Sequence, residues 1–185
     1  EISACLVGSE MCIRDSADTI LEHNPGVDLG RVRAAFELAD RAHSGQKRKA
    51  GTPYVTHCVA AAQICAEMGL DKDSIVAALL HDCIEDTAIT HEDIARQFGG
   101  EVADIVEGVT KLTRVQFTSR EDEQMENLRK MLMAMAKDIR VILIKIADRL
   151  HNTRTLQYQT PAKQISKSME TMEIYAPLAH RLGMQ

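Results

Sequence analysis

From residue 17 onward, apolar positions recur at helical spacing and strand-like alternation is nearly absent. Asp28 is placed to cap a first helix whose apolar face is Val32, Ala35, Phe36 and Ala39, and Gly45 stops it. The loop QKRKAGTP follows, rich in cations and turn residues. Pro53 suits a first helical position, so a second helix is predicted from there to about Glu67, with Gly69 ending it. The next begins near Asp71 or Asp73 and contains IVAALLHDCIED. Thr90 caps HEDIARQF, Gly99 and Gly100 end it, and EVADIVEGVTKL forms a further helix. Residues 113–120 read as a polar connection into a long helix, SREDEQMENLRKMLMAMA. Asp138 caps IRVILIKIADRLHNTRTL, whose Val141, Ile142, Leu143, Ile144, Ile146, Ala147 and Leu150 make it apolar almost all round. Such a helix belongs in the middle of a bundle. Thr160 and Pro161 begin a last helix that runs into YAPLAHRLG. The pattern predicts an all-α fold, a bundle of about eight to ten helices.

Residues 1–16, EISACLVGSEMCIRDS, show no helical or strand period. They lack a basic start and carry Glu10 near the end of their apolar stretch, which makes a poor signal peptide. They read as a non-native or disordered leader, and residues 17–185 as the folded domain.

Composition narrows the function classes. A chain of 185 residues can bury a sizeable core. Aromatics are scarce at 3% and Met is frequent at 9, so Leu, Ile, Val, Ala and Met must build that core, which suits helix packing. No apolar run approaches the ~20 residues that span a bilayer. The net charge of -5 excludes the whole chain as an electrostatic nucleic-acid binder, although Lys47, Arg48 and Lys49 form one local basic patch. Five cysteines without a CxxC pair read as free thiols of a cytoplasmic protein.

Three polar units interrupt the apolar pattern. His81 and Asp82 are followed by Glu85 and Asp86 at the end of IVAALL. On a helix each member of the first pair lies one turn below a member of the second. Three carboxylates so close repel one another and resist burial; crowding should raise at least one of their pKa values, and a bound cation would relieve both costs. His57 stands early in the second helix. Asp148 stands on the most apolar helix, with Asn152 and Thr155 on its face, where pairing with Lys145 or Arg149 is the competing explanation. Two imidazoles and two carboxylates suit Mn, Fe, Zn or Mg-like ions, and a mixed N/O set leaves room for a water and a phosphate oxygen.

The pattern H…HD…D resembles that of the HD superfamily of metal-dependent phosphohydrolases. More narrowly, AHSGQKRKAGTPYVTH, AALLHDCIEDT, EGVTKLT and ILIKIADRLHNTRTL resemble the hydrolase domain of the RelA/SpoT-type (Rel) alarmone enzymes. MEIYAPLAHRLGM resembles that family's passage toward its synthetase domain, and the likeness covers about residues 17–185. The resemblance implies an all-helical HD domain that uses Mn²⁺ to hydrolyse the 3′-pyrophosphate of (p)ppGpp, releasing pyrophosphate and GDP or GTP. It implies His57, His81, Asp82 and Asp148 as metal ligands, and Glu85 and Asp86 as the pair acting on the attacking water and the departing group. Lys47, Arg48 and Lys49 match the basic loop at the nucleotide, and Asn152 and Thr155 the polar stripe of its pocket. It further implies a nucleotide substrate rather than nucleic acid or membrane, and synthetase and regulatory domains in a full-length protein. Three positions depart from the family's common pattern: Cys58 for Pro, Ala50 for Ser and Thr153 for Met. None removes a ligand. Alternatives from the residues are another HD phosphohydrolase, acting on a dNTP or cyclic nucleotide, and a non-catalytic nucleotide sensor.

Overall fold

The computed structural model describes residues 20, 22–24, 26–113, 133 and 137–184. The expected leader at residues 1–16 and most of the predicted 119–136 helix lie outside the described residues. Helix α1 spans Leu29–Ala42, α2 Val55–Glu67, α3 Lys72–Leu80, α4 Cys83–Asp86, α5 His91–Phe98, α6 Gly100–Thr113 and α7 Ile139–Arg154. A 3₁₀ turn at Leu156–Tyr158 leads to α8 (Pro161–Glu170), a π turn (Thr171–Tyr175) and α9 (Ala176–Arg181). Among the described residues there is no strand, only a bridge between Lys47 and Pro53, and no helix is long and apolar enough to cross a membrane. The all-α expectation holds.

Local chemistry sets the helix starts. Asp28 accepts from the Gly30 N–H, Asp71 from Ser74 and Asp138 from Arg140, each satisfying a donor that has no partner inside its helix. Thr90 and Asp93 form a reciprocal capping box on α5. The second helix begins two residues later than predicted. Pro53 is taken by the bridge to Lys47, and the Tyr54 N–H donates to the Gln46 carbonyl at 3.1 Å, which holds this stretch in the turn. Gly51, at φ +86°, closes that turn in a conformation that side chains disfavour.

The centre of the bundle is α3, not α7. Every residue from Ser74 to Leu80 is buried, and α3 packs against α1, α2, α6 and α7. Ala61 and Ala62 on α2 and Ala77 and Ala78 on α3 are fully buried, so the two backbones approach closely. Helix α7 is less enclosed than its apolar sequence predicts: Ile139 is 46% exposed and Leu150 40%. Its buried face carries Lys145, Asp148 and Arg149 as well as Val141, Ile142, Ile144 and Ala147. Arg140 fixes its start by pairing with Asp71, Asp138 and Glu101, which ties α7 to the beginnings of α3 and α6. Gly108 permits the α6–α7 contact, since a Cβ there would lie 2.8 Å from Val141 Cγ2.

Candidate metal centre and substrate cleft

Helices α2, α3 and α7 each bring one polar side chain to a common point. His57 projects from α2, His81 from the cap just after α3 and Asp148 from the middle of α7. All three are buried, and their ligand atoms lie within 4.8 Å of one another, the arrangement of a metal site. His57 Nε2 is 3.2 Å from Asp148 Oδ1. Asp82 flanks this trio: its Oδ2 lies 3.6 Å from His57 Nε2 and 3.1 Å from His81 Nε2.

The predicted continuous helix through IVAALLHDCIED breaks here. Helix α3 ends at Leu80, and His81 and Asp82 lead into the single turn of α4. Thr87 closes that turn by donating from Oγ1 to the Cys83 carbonyl at 2.6 Å. The Asp86 N–H still donates to the Asp82 carbonyl at 2.9 Å, so the expected one-turn spacing of those two carboxylates survives.

His81 shows why a cation fits. Its Nδ1 donates to the Ala78 carbonyl at 2.8 Å, which turns Nε2 into the cluster. There Nε2 is fully buried without a hydrogen-bond partner, because Asp82 Oδ2, though near, lies off the bonding direction. A buried imidazole nitrogen left this way is costly unless something electropositive meets it. Burial pushes the His81 pKa down, but Asp82 and Asp148 outweigh it and raise it to about 9. Burial dominates at His57 and holds that imidazole below its ordinary value. Asp82 and Asp148 thus favour positive charge on His81 as well as on Lys145, and carboxylates that draw a proton there can draw a cation instead.

Crowding does not raise the pKa of Asp82 or of Asp148. Burial alone would raise both, but His81 holds Asp82 down, and Lys145 with the two histidines holds Asp148 well below the carboxylate range. Lys145 Nζ lies 2.8 Å from Asp148 Oδ2. The competing explanation for Asp148 is therefore half right: one oxygen pairs with Lys145 while the other faces the histidines. The Asn152 amide also donates to Oδ1, and the Arg48 guanidinium donates to Asn152 Oδ1 at 2.6 Å.

His57, Asp82 and Asp148 form the floor of a cleft of about 590 Å³, which His81 does not line. Glu85, Asp86 and Asn152 line it, as do Lys163 and Lys167 of α8. A second cavity of about 280 Å³ adjoins it, lined by Lys49, His151 and Thr155 among others. Arg48 lines both cavities, whereas Lys47 lines neither and is exposed.

Two contributors were not singled out in the sequence, and a third, Arg149, was named there only as a candidate partner of Asp148. The Tyr54 hydroxyl lies 2.8 Å from Asp82 Oδ2 and 3.1 Å from Asp86 Oδ2, joining the metal cluster to the α4 wall. His151 Nδ1 lies 2.7 Å from His57 Nδ1. Arg149 lies over the Tyr175 ring at 4.4 Å and donates to Glu170, which fastens the cationic α8 wall to α7. Tyr54 and His151 stood inside quoted motifs, PYVTH and HNTRTL, but nothing in their spacing separates a side chain behind a ligand from one on the surface.

Comparison with known proteins agrees with this geometry. The HD domain family matches residues 35–185. The bifunctional (p)ppGpp synthase/hydrolase SpoT of Escherichia coli K12 is 54% identical over 160 residues, which are 86% of this chain and 23% of that protein. A guanosine-3′,5′-bis(diphosphate) 3′-pyrophosphohydrolase of Escherichia coli O157:H7 matches to the same extent. The chain thus spans about a quarter of the length of these relatives. A solved structure of a metazoan ortholog of SpoT, described as hydrolysing ppGpp with a role in starvation responses, superposes with a TM-score of 0.59 at 32% identity, covering 74% of this chain and 78% of that one. With its buried His57–His81–Asp148 cluster beside a cleft lined by cations and carboxylates alike, the chain belongs to the HD domain family, closely related to the SpoT/RelA-type ppGpp synthase/hydrolases.

Proposed function

We propose that this chain is a Mn²⁺-dependent 3′-pyrophosphohydrolase of (p)ppGpp, acting in the cytoplasm. One observation carries the reading: a cation-ready cluster, with the buried, unpartnered Nε2 of His81, sits beside a cleft lined both by carboxylates and by Arg48, Lys163 and Lys167, in a chain 54% identical to a named 3′-pyrophosphohydrolase. His57, His81 and Asp148 would hold the ion, with Asp82 completing the set. When bound, the ion supplies positive charge that offsets the phosphate charge and acidifies water.

The chain's own groups do the rest. Glu85, half-buried on the cleft wall, takes the proton of the attacking water, and Asp86 beside it steers the departing group. The water oxygen bonds to the phosphorus carried on O3′, the P–O3′ bond breaks, O3′ gains a proton and pyrophosphate departs. Tyr54 keeps Asp82 and Asp86 in register through its hydroxyl. Arg48 and Lys49 hold phosphate or base from the loop, the planar guanidinium being suited to both. Asn152 keeps Arg48 directed at the cleft, and Thr155 lines the base side.

Incubation of ppGpp with the protein and MnCl₂, with chromatographic identification of products, tests substrate, bond and ion together. Equimolar GDP and pyrophosphate are expected. Release of orthophosphate, a preference for dGTP or a cyclic nucleotide, or binding without turnover would overturn the proposal.

A further inference from the structure

The two ring nitrogens of His57 have different neighbours. Nε2 faces Asp148 Oδ1 at 3.2 Å, while Nδ1 faces Nδ1 of His151 at 2.7 Å. Two ring nitrogens this close form a hydrogen bond only if one carries a proton and the other does not. The far end of the His57 ring decides which. A neutral imidazole has a single N–H. Without a cation, Nε2 keeps the proton and donates to Asp148, so Nδ1 accepts and His151 donates. With a cation on Nε2 that nitrogen must be bare, the proton resides on Nδ1, and His151 must accept.

We infer that His151 is a positioning residue for the metal ion, accepting the Nδ1–H of His57 and so fixing the tautomer and ring orientation that present Nε2 to the ion. The inference rests on the metal reading proposed above. Helix α7 then contributes twice. Asp148 reaches the cluster directly, and His151, three residues on, reaches it through His57. The hydrogen bond reverses direction when the ion enters, so the position needs a group that both donates and accepts. Imidazole does so by changing tautomer, and a carboxamide does so by turning over.

The experiment titrates chelator-stripped wild type, His151→Gln and His151→Leu with Mn²⁺ by calorimetry, without nucleotide, with melting curves to verify folding. His151 is only half-buried, so neither variant opens the core. The Leu variant is expected to lose about 10- to 100-fold in Mn²⁺ affinity, the range seen when a ligand's supporting partner is removed. The Gln variant should recover most of it. A folded Leu variant with wild-type affinity overturns the role of His151 while leaving the metal reading intact, and a wild type that takes up no Mn²⁺ overturns both. Long-range ¹H–¹⁵N spectra of the wild type, with Zn²⁺ as a diamagnetic probe, read the tautomer without any substitution. A proton on His57 Nδ1 is expected, and a bare Nδ1 in the Zn²⁺-bound protein would overturn the inference.

Discussion

His57, His81 and Asp148 sit on three helices packed against one another in the core, whereas Arg48 and Lys49 sit on a turn closed by its own backbone and open to solvent. The floor and the His81 ring beside it are dry. His81 is 0% exposed and His57 1%, so each charge or lone pair there is answered by a named neighbour or left costly. The rim is wet, and its cations interact through screened charge and a few hydrogen bonds. The difference teaches where sensitivity should lie. Loss of one floor group leaves an uncompensated partner in a low-dielectric site, while loss of one rim group is partly replaced by water.

The comparison breaks first at Asp148. Asp148→Ala should abolish Mn²⁺ binding and ppGpp turnover together, because it removes an oxygen facing His57 and strands Lys145. Calorimetry alongside a pyrophosphate-release assay checks this, and retained turnover would mean the floor is not the reaction centre. Next comes Glu85→Gln, where Mn²⁺ affinity should persist while turnover falls ~10²-fold or more, as expected for a lost proton acceptor. Arg48→Ala should act on the rim. A higher KM of about 10-fold is expected from losing one charge-assisted contact of about 1.5 kcal/mol, with kcat less affected. Gly108→Ala tests whether packing alone fixes the floor. The added methyl meets Val141 at the α6–α7 crossing, and a loss of about 1–3 kcal/mol is expected from overpacking. A compensating Val141→Ala should recover part of that in denaturant titrations. Lys47→Ala should change turnover least, less than twofold, since an exposed cation lining neither cavity gives at most about 0.4 kcal/mol. A larger effect would extend the rim to the start of the loop.

Much of the fold was legible because its helix boundaries are local. Asp28, Asp71, Thr90 and Asp138 announce helix starts by side-chain capping, and Gly69 and Gly99 mark the ends, all within a turn of the residues they govern. Burial depth was less legible. The apolar runs of α3 and α7 look alike in sequence, and only the neighbours packed around each make α3 the central helix and leave Leu150 of α7 at the surface. The candidate site divides in the same way. His57, His81 and Asp148 stand out because a polar residue in an apolar run needs a reason. Tyr54 and His151 do not, since a residue of either type at a helix end is unremarkable until its partner is known.

The sequence by itself determined most of the described helix starts, their caps and the identity of the polar residues that must meet something in the core. Tertiary structure alone decided that His57, His81 and Asp148 converge on one point, and that His151 lies behind His57, 94 residues away along the chain. The physical reason is range. Capping and periodicity act over a few residues, whereas the charge balance of a buried site depends on which helices pack together, and that is a property of the whole core.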